Sequence, residues 1–359
     1  MRTKFYSLKR ILAKDCVYNV IIGQRSNGKT YSVLKYAIEQ WAKNGTQLAY
    51  VRRFQTDIKG RRASDIFAAL NADGVIDKAT DGKYQGISYY GGKFYACTYD
   101  ETGKPITNQS DVIGYCFSLS DNEHNKSISY PKIETILFDE FLSNYYLDNE
   151  FMLFMNTLST IIRQRTTPKI FMLGNTISTY SPYFKEMGLT HVKEQEQGTI
   201  EVYTYGNSDL RVAVEYCHEI QLKNSKTYYA FDNSRLAMLT SGKWELDIFP
   251  HVPVKYTQKD IKYTYFFSFD EEVFQAEIIR VEKMLFTYIH RKTTPIKDED
   301  RDLVYSLDYV PKMNYSRNIF KPTCAIQQKI LWFFTHDRVF YQDNFVGNKI
   351  TNMLKVMGG

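Results

Sequence analysis

The sequence predicts an α/β protein: a doubly wound domain around a central parallel sheet, then a smaller α+β domain. Three observations carry that expectation. Short apolar runs alternate with helix-period segments over the first 205 residues. A glycine-framed loop, Gly23-Gln24-Arg25-Ser26-Asn27-Gly28-Lys29-Thr30, follows the first such run, Val17 to Ile22. A later run, Ile136-Leu137-Phe138, ends in Asp139-Glu140.

Each element has its own signal. Val17 to Ile22 reads as a buried strand. Thr30 to Lys43 carries Val33, Leu34, Ala37, Ile38 and Trp41 at helical spacing, and Gly45 stops that helix. Leu48 to Arg52 reads as a second strand, and Ala63 to Leu70 as a helix. Ile87 to Tyr90 and Lys93 to Tyr99 flank Gly91-Gly92 and predict a β-hairpin, read as an insertion before the next core strand. Val112 to Leu119 is a further strand. Thr135 to Phe138 is a continuous run of β-branched and apolar residues, as expected of a central parallel strand. Glu150 to Ile162 reads as a helix. Lys169 to Leu173 is a buried strand running into Gly174-Asn175-Thr176.

The turn-rich stretch Gly206-Asn207-Ser208-Asp209 marks a boundary. The expected domains are therefore 1–205, a connecting segment 206–232, and a second domain over 233–359. In the last, aromatic and β-branched residues cluster from Tyr263 to His290.

Composition excludes several classes. With 359 residues and 43% hydrophobic content the chain can bury a sizeable core. Net charge is +6, so an anionic partner must be sought in local patches. The five cysteines are scattered and form no C-x-x-C pair, which argues against a disulfide framework or a zinc site and fits a reducing cytosol. The N-terminus lacks the apolar core of a signal peptide, and no run has the length of a membrane span. A soluble, intracellular protein is expected.

The glycine loop matches G-x-x-x-x-G-K-[ST]. Backbone N–H groups of such a loop point at phosphate oxygens, and the helix behind it adds partial positive charge. Gly23, Gln24, Arg25, Ser26, Asn27, Gly28, Lys29 and Thr30 are thus the candidate ATP-binding residues. Lys29 is placed on the β- and γ-phosphates and Thr30 on Mg²⁺. Asp139 at a strand end is the second candidate magnesium ligand. Glu140 is the candidate base that polarises the attacking water. An Asp-Glu pair favours hydrolysis over phosphate transfer to a small molecule. Asn175 and Thr176 end the next strand and are candidate sensors of the γ-phosphate, although such residues also cap helices and make turns.

Arg163 and Arg165 precede that strand. Either can reach a neighbouring subunit's nucleotide and neutralise transition-state charge, or can belong to a solvated basic face. Arg163 is preferred. Arg25 suits phosphate contact or a surface role. Arg52, Arg53, Lys59, Arg61 and Arg62 form a basic run that suits polymer phosphates, a salt-bridged surface, or, for Arg52 and Arg53, the ATP itself. The acids of the C-terminal part do not assemble into a two-metal nuclease set from their spacing.

These residues together resemble the DNA encapsidation ATPases of small, protein-primed, short-tailed phages. The resemblance rests on Gly23 to Tyr31, Tyr50-Val51-Arg52-Arg53-Phe54, Ile136 to Phe141, Thr160 to Arg165 running into Phe171 to Thr176, and Ser181-Pro182-Tyr183-Phe184. It covers roughly the first 200 residues. It implies an ATPase domain of the additional-strand, catalytic-glutamate P-loop class, followed by a degenerate RNase H-like nuclease domain without its catalytic carboxylates. It also implies a homo-oligomeric ring, with five subunits, that threads double-stranded DNA through a portal into a prohead in the host cytoplasm. The trans-acting role falls on Arg163. Some relatives work with a packaging RNA. The rival expectations are a ring helicase or other nucleic-acid translocase, a non-catalytic nucleotide-binding adaptor, and a small-molecule kinase.

Overall fold

The computed structural model describes residues 5–121, 128–143, 146–147, 149–176, 181–192, 194–220, 249–252 and 254–358. The chain divides into two compact units, one of residues 1–143 with 149–245 and one of 144–148 with 246–359.

The first unit is built on a nine-stranded sheet. Its strands are β1 (Tyr18–Gly23), β2 (Gln47–Arg52), β3 (Gly86–Tyr90), β4 (Lys93–Tyr99), β5 (Pro105–Ser118), β6 (Ile133–Asp139), β7 (Lys169–Asn175), β8 (Ile200–Thr204) and β9 (Arg211–Tyr216). Their order is β3-β4-β5-β2-β6-β7-β1-β9-β8. The run from β5 to β9 in that order is parallel throughout. Antiparallel partners extend it at both ends, β4 and β3 beside β5, and β8 beside β9. β7 lies between β1 and β6, so it is the additional strand that separates the phosphate-loop strand from the carboxylate strand.

Strand alternation sends successive side chains to opposite faces. Leu137 and Phe171 join the core under the Lys29–Asn44 helix, where Tyr36 meets Phe171 edge-on at 5.8 Å. Phe138 points the other way, into Phe154 at 4.8 Å and Tyr183 at 5.7 Å. Those two residues belong to the helices Glu150–Ile162 and Pro182–Glu186. Helices thus cover both faces, as the doubly wound expectation requires.

The predicted hairpin forms as β3 and β4, joined to the main sheet through β5. The predicted helix over Ala63 to Leu70 is broken into the short pieces Gly60–Ser64, Asp65–Phe67 and Ala68–Ala72. The domain end expected at Tyr205 is corrected, because β9 pairs in parallel with β1 and continues the same sheet. Gly206 to Asp209 is the turn between antiparallel β8 and β9, and turn chemistry looks the same in a hairpin and in a linker. The expected connecting segment and the expected start at 233 fall largely on residues 221–248, outside the described residues.

The second unit carries a six-stranded sheet of β10 (Ile261–Phe269), β11 (Glu272–Val281), β12 (Met284–Arg291), β13 (Val304–Ser306), β14 (Tyr315–Ser316) and β15 (Val339–Tyr341). Its order is β14-β13-β10-β11-β12-β15. β10, β11 and β12 form an antiparallel meander, and β13, β14 and β15 join in parallel. The aromatic cluster seen in the sequence supplies its interior: Tyr265, Phe267, Phe274 and Phe286 are buried. Among the described residues, no helix is long and apolar enough to cross a membrane.

Candidate nucleotide site

The site forms where three parallel strands end together. β1 enters the glycine loop at Gly23, β6 ends at Asp139, and β7 ends at Asn175. The carboxyl ends of parallel strands are where open α/β sheets bind ligands. A pocket of about 320 Å³ opens there, lined by Arg25 to Tyr31, Asp139, Glu140 and Leu173 to Asn175.

The loop turns because Ser26 and Gly28 take left-handed backbone, at φ 59° and 92°, and the helix starts at Lys29. Gly23 is required by close approach: a Cβ there would lie 2.8 Å from Cys217 Cβ on the neighbouring chain segment. Gln24 does not face the pocket. Its buried side-chain amide donates to Ile220 O at 2.7 Å and accepts from Ile220 N at 2.8 Å.

Lys29 is 6% exposed. Its Nζ donates to Gly23 O (3.2 Å), Gln24 O (2.7 Å), Asn27 Oδ1 (3.1 Å) and Asn175 Oδ1 (3.3 Å). All four acceptors are neutral, and burial lowers the ammonium's pKa to about 8. A buried cation whose hydrogen-bond acceptors are all neutral is a ready partner for an anion. The Asn175 contact joins β7 to the loop, as a sensor would require. Thr176 is buried just beyond and is not part of the pocket wall.

Asp139 accepts from Thr30 Oγ1 at 3.1 and 3.3 Å and from Tyr50 OH at 3.0 Å. Burial raises its pKa, and the Arg52 guanidinium opposes that shift. A hydroxyl and a carboxylate converging on one point form a hard-oxygen donor set that fits Mg²⁺. Glu140 sits one residue on, in left-handed backbone at φ 59°. Its Oε2 accepts from Arg52 Nη2 at 2.7 Å.

The five basic candidates separate. Arg52 belongs to the pocket through Glu140, with further ion pairs to Asp139 at 3.9 Å and Asp57 at 3.7 Å. The expectation that Arg53 meets polymer phosphate is corrected: it is 5% exposed and paired with buried Glu150 at 2.7 Å. β2 ends at Arg52, and the two neighbours leave it on opposite sides. Lys59, Arg61 and Arg62 are exposed, the last two near Asp65 and Asp57.

Arg165 donates to the carbonyls of Tyr130, Pro131, Ile133, Ile161 and Ile162 and to Glu134 Oε1. It is committed to its own chain. Arg163 is exposed at the C-terminus of the Glu150–Ile162 helix, with Nη2 on Ile128 O at 3.1 Å. Two residues of the site have no role assigned from sequence: Tyr50, which bonds Asp139, and Glu150, which holds Arg53. Both depend on contacts 89 and 97 positions apart in sequence.

Residues 1–204 match the family described as Podovirus DNA encapsidation protein (Gp16). The DNA packaging proteins of Bacillus phages PZA and phi29 are each 29% identical over 187 residues, which cover 51% of this chain and 50% of theirs. The chain thus spans about half the length of the curated relatives it matches. Among solved structures, the Phi-28 gp11 DNA packaging motor gives a TM-score of 0.55 at 18% identity, covering 98% of each chain. The bacteriophage Phi-29 viral genome packaging motor assembly gives 0.55 at 19%, covering 97% of this chain and 99% of that one. Both are likenesses of fold.

Proposed function

Since the chain belongs to the podovirus DNA encapsidation protein (Gp16) family, we propose that it hydrolyses ATP to drive double-stranded DNA into a viral prohead. One observation carries this reading: Lys29, Thr30, Asp139, Glu140 and Asn175 share a single pocket although they come from three separate strand ends.

The residues then act as follows. The backbone of Gly23 to Thr30 cradles the triphosphate. Lys29 exchanges its neutral acceptors for β- and γ-phosphate oxygens, and its charge is fully restored by that exchange. Thr30 and Asp139 would hold Mg²⁺, which neutralises phosphate charge when bound. Glu140, turned away from Arg52, accepts a proton from the attacking water. Asn175 loses or regains Lys29 as the γ-phosphate comes and goes. Arg163 of an adjacent subunit supplies positive charge across the interface, while Arg165 keeps the edge of its own domain in shape.

The assembly proposed is a ring of five copies at the portal vertex of a prohead, in the host cytoplasm. Lys59, Arg61 and Arg62 are the proposed DNA contacts, since they are exposed and basic. Glu140→Gln is expected to bind ATP as the wild type does and to lose DNA-stimulated hydrolysis by on the order of a hundredfold or more. Steady-state turnover beside fluorescent-nucleotide binding reads both. Full turnover by that variant would remove Glu140 from the base's role.

A further inference from the structure

Glu140 owes its place to a backbone turn that a glutamate does not take freely. At φ 59° it lies in the left-handed region, which costs a non-glycine residue free energy unless the surroundings impose it. Two groups impose it here. Phe141 N–H donates to Leu173 O at 3.0 Å, which ties the turn to β7. From the other side, Arg53 donates through Nη1 to Glu140 O at 3.2 Å and through Nη2 to Phe141 O at 2.8 Å.

The Arg53 fork is itself fixed. Its Nε and Nη2 donate to the two oxygens of Glu150 at 2.7 and 2.8 Å, and Tyr183 OH donates to Glu150 Oε1 at 2.8 Å. All three side chains are buried. A buried ion pair is a weak stabiliser compared with apolar side chains of the same size. A planar fork that holds two consecutive carbonyls of a strained turn has a use that apolar side chains lack.

We propose that Arg53 is a positioning residue for ATP hydrolysis: it fixes the backbone of Glu140 and Phe141 so that the Glu140 carboxylate stays in the pocket wall. Glu150 and Tyr183 hold Arg53 for that task. Glu150 also begins the helix whose far end is Arg163, so the hydrolytic turn and that arginine share one rigid support. The inference rests on reading Glu140 as the base.

The test is the paired variant Arg53→Met/Glu150→Met in the full chain. Its unfolding midpoint should stay within a few degrees of wild type and its nucleotide affinity within about threefold, while turnover falls on the order of a hundredfold. On a Glu140→Gln background the same pair should add no further loss, because both act through one carboxylate. Wild-type-like turnover by the paired variant overturns the proposal, and so does an additive loss on the Glu140→Gln background. If the paired variant fails to fold, Arg53→Lys carries the test. It keeps the charge and removes the fork, so the same loss is expected and full turnover overturns the assignment. Absence of turnover in the wild type would instead reject the hydrolysis reading itself.

Discussion

Lys29 sets the pH behaviour of the site. Burial lowers its pKa from 10.5 to about 8, whereas an unfolded chain keeps the ordinary value. The penalty on stability is therefore full below pH 8 and lifts as pH rises toward 10.5. Nucleotide binding has the opposite sign. Phosphate needs the charged amine, so above pH 8 the free protein must take up a proton to bind. ATP affinity should be flat near neutrality and weaken above pH 8, by up to about tenfold per unit. Calorimetry in buffers of different ionisation enthalpy should show proton uptake there. Affinity unchanged between pH 7 and about 9.5 would contradict the neutral-acceptor picture of Lys29.

At this scale the phosphate loop and the Asp139-Glu140 pair were readable because local spacing encodes them. A strand end followed by a fixed loop leaves few places for Lys29, Thr30 and Asp139 to go. Arg52 and Arg53 were not separable, since adjacent residues at a strand end can face opposite ways and both are basic. Partners distant in sequence, Glu150 and the carbonyls of Glu140 and Phe141, make Arg53 internal.

Among the elements, the parallel strands are packed closely enough to exclude a methyl group. A Cβ on Gly114 of β5 would lie 2.6 Å from Leu48 O of β2, a backbone atom that cannot swing aside. Gly114→Ala is expected to cost about 1–3 kcal/mol, read as a lower denaturation midpoint, by forcing β5 off β2. A midpoint equal to wild type would show that the two strands are looser than described. Arg165→Ala should likewise lower stability through its lost carbonyl contacts, whereas exposed Arg163→Ala should leave the midpoint within about 0.5 kcal/mol of wild type. Apolar runs announced β1, β2, β6 and β7, since strands buried on both faces read as continuous hydrophobics. β8 and β9 escape notice because the tight hairpin turn between them has the same residue chemistry as a domain edge. In the second unit, the aromatic and β-branched cluster from Tyr263 to His290 coincides with β10 to β12 without marking their bounds, while the short strands β13 to β15 are too brief to show a period.

For the whole molecule, the proposed ring makes a prediction that no single subunit can meet. Arg163→Ala and Glu140→Gln should each be inactive alone. Mixed together they should regain part of the turnover, because an interface can then pair an intact Glu140 with an intact Arg163 from its neighbour. If mixing restores nothing while both variants still assemble, Arg163 does not act across the interface. The likeness of fold to packaging motors covers nearly the whole chain, whereas similarity to the curated relatives covers about half of it. That difference follows from what sequence must preserve: a phosphate site fixes residue types, and a packed sheet fixes only size and period.

The most direct test measures ATP turnover by the purified chain alone, with double-stranded DNA, and with DNA and empty proheads together. Slow turnover alone and a large stimulation by DNA with proheads, abolished by Glu140→Gln, are expected. Tight ATP binding with no turnover under any of the three conditions would contradict the proposed function.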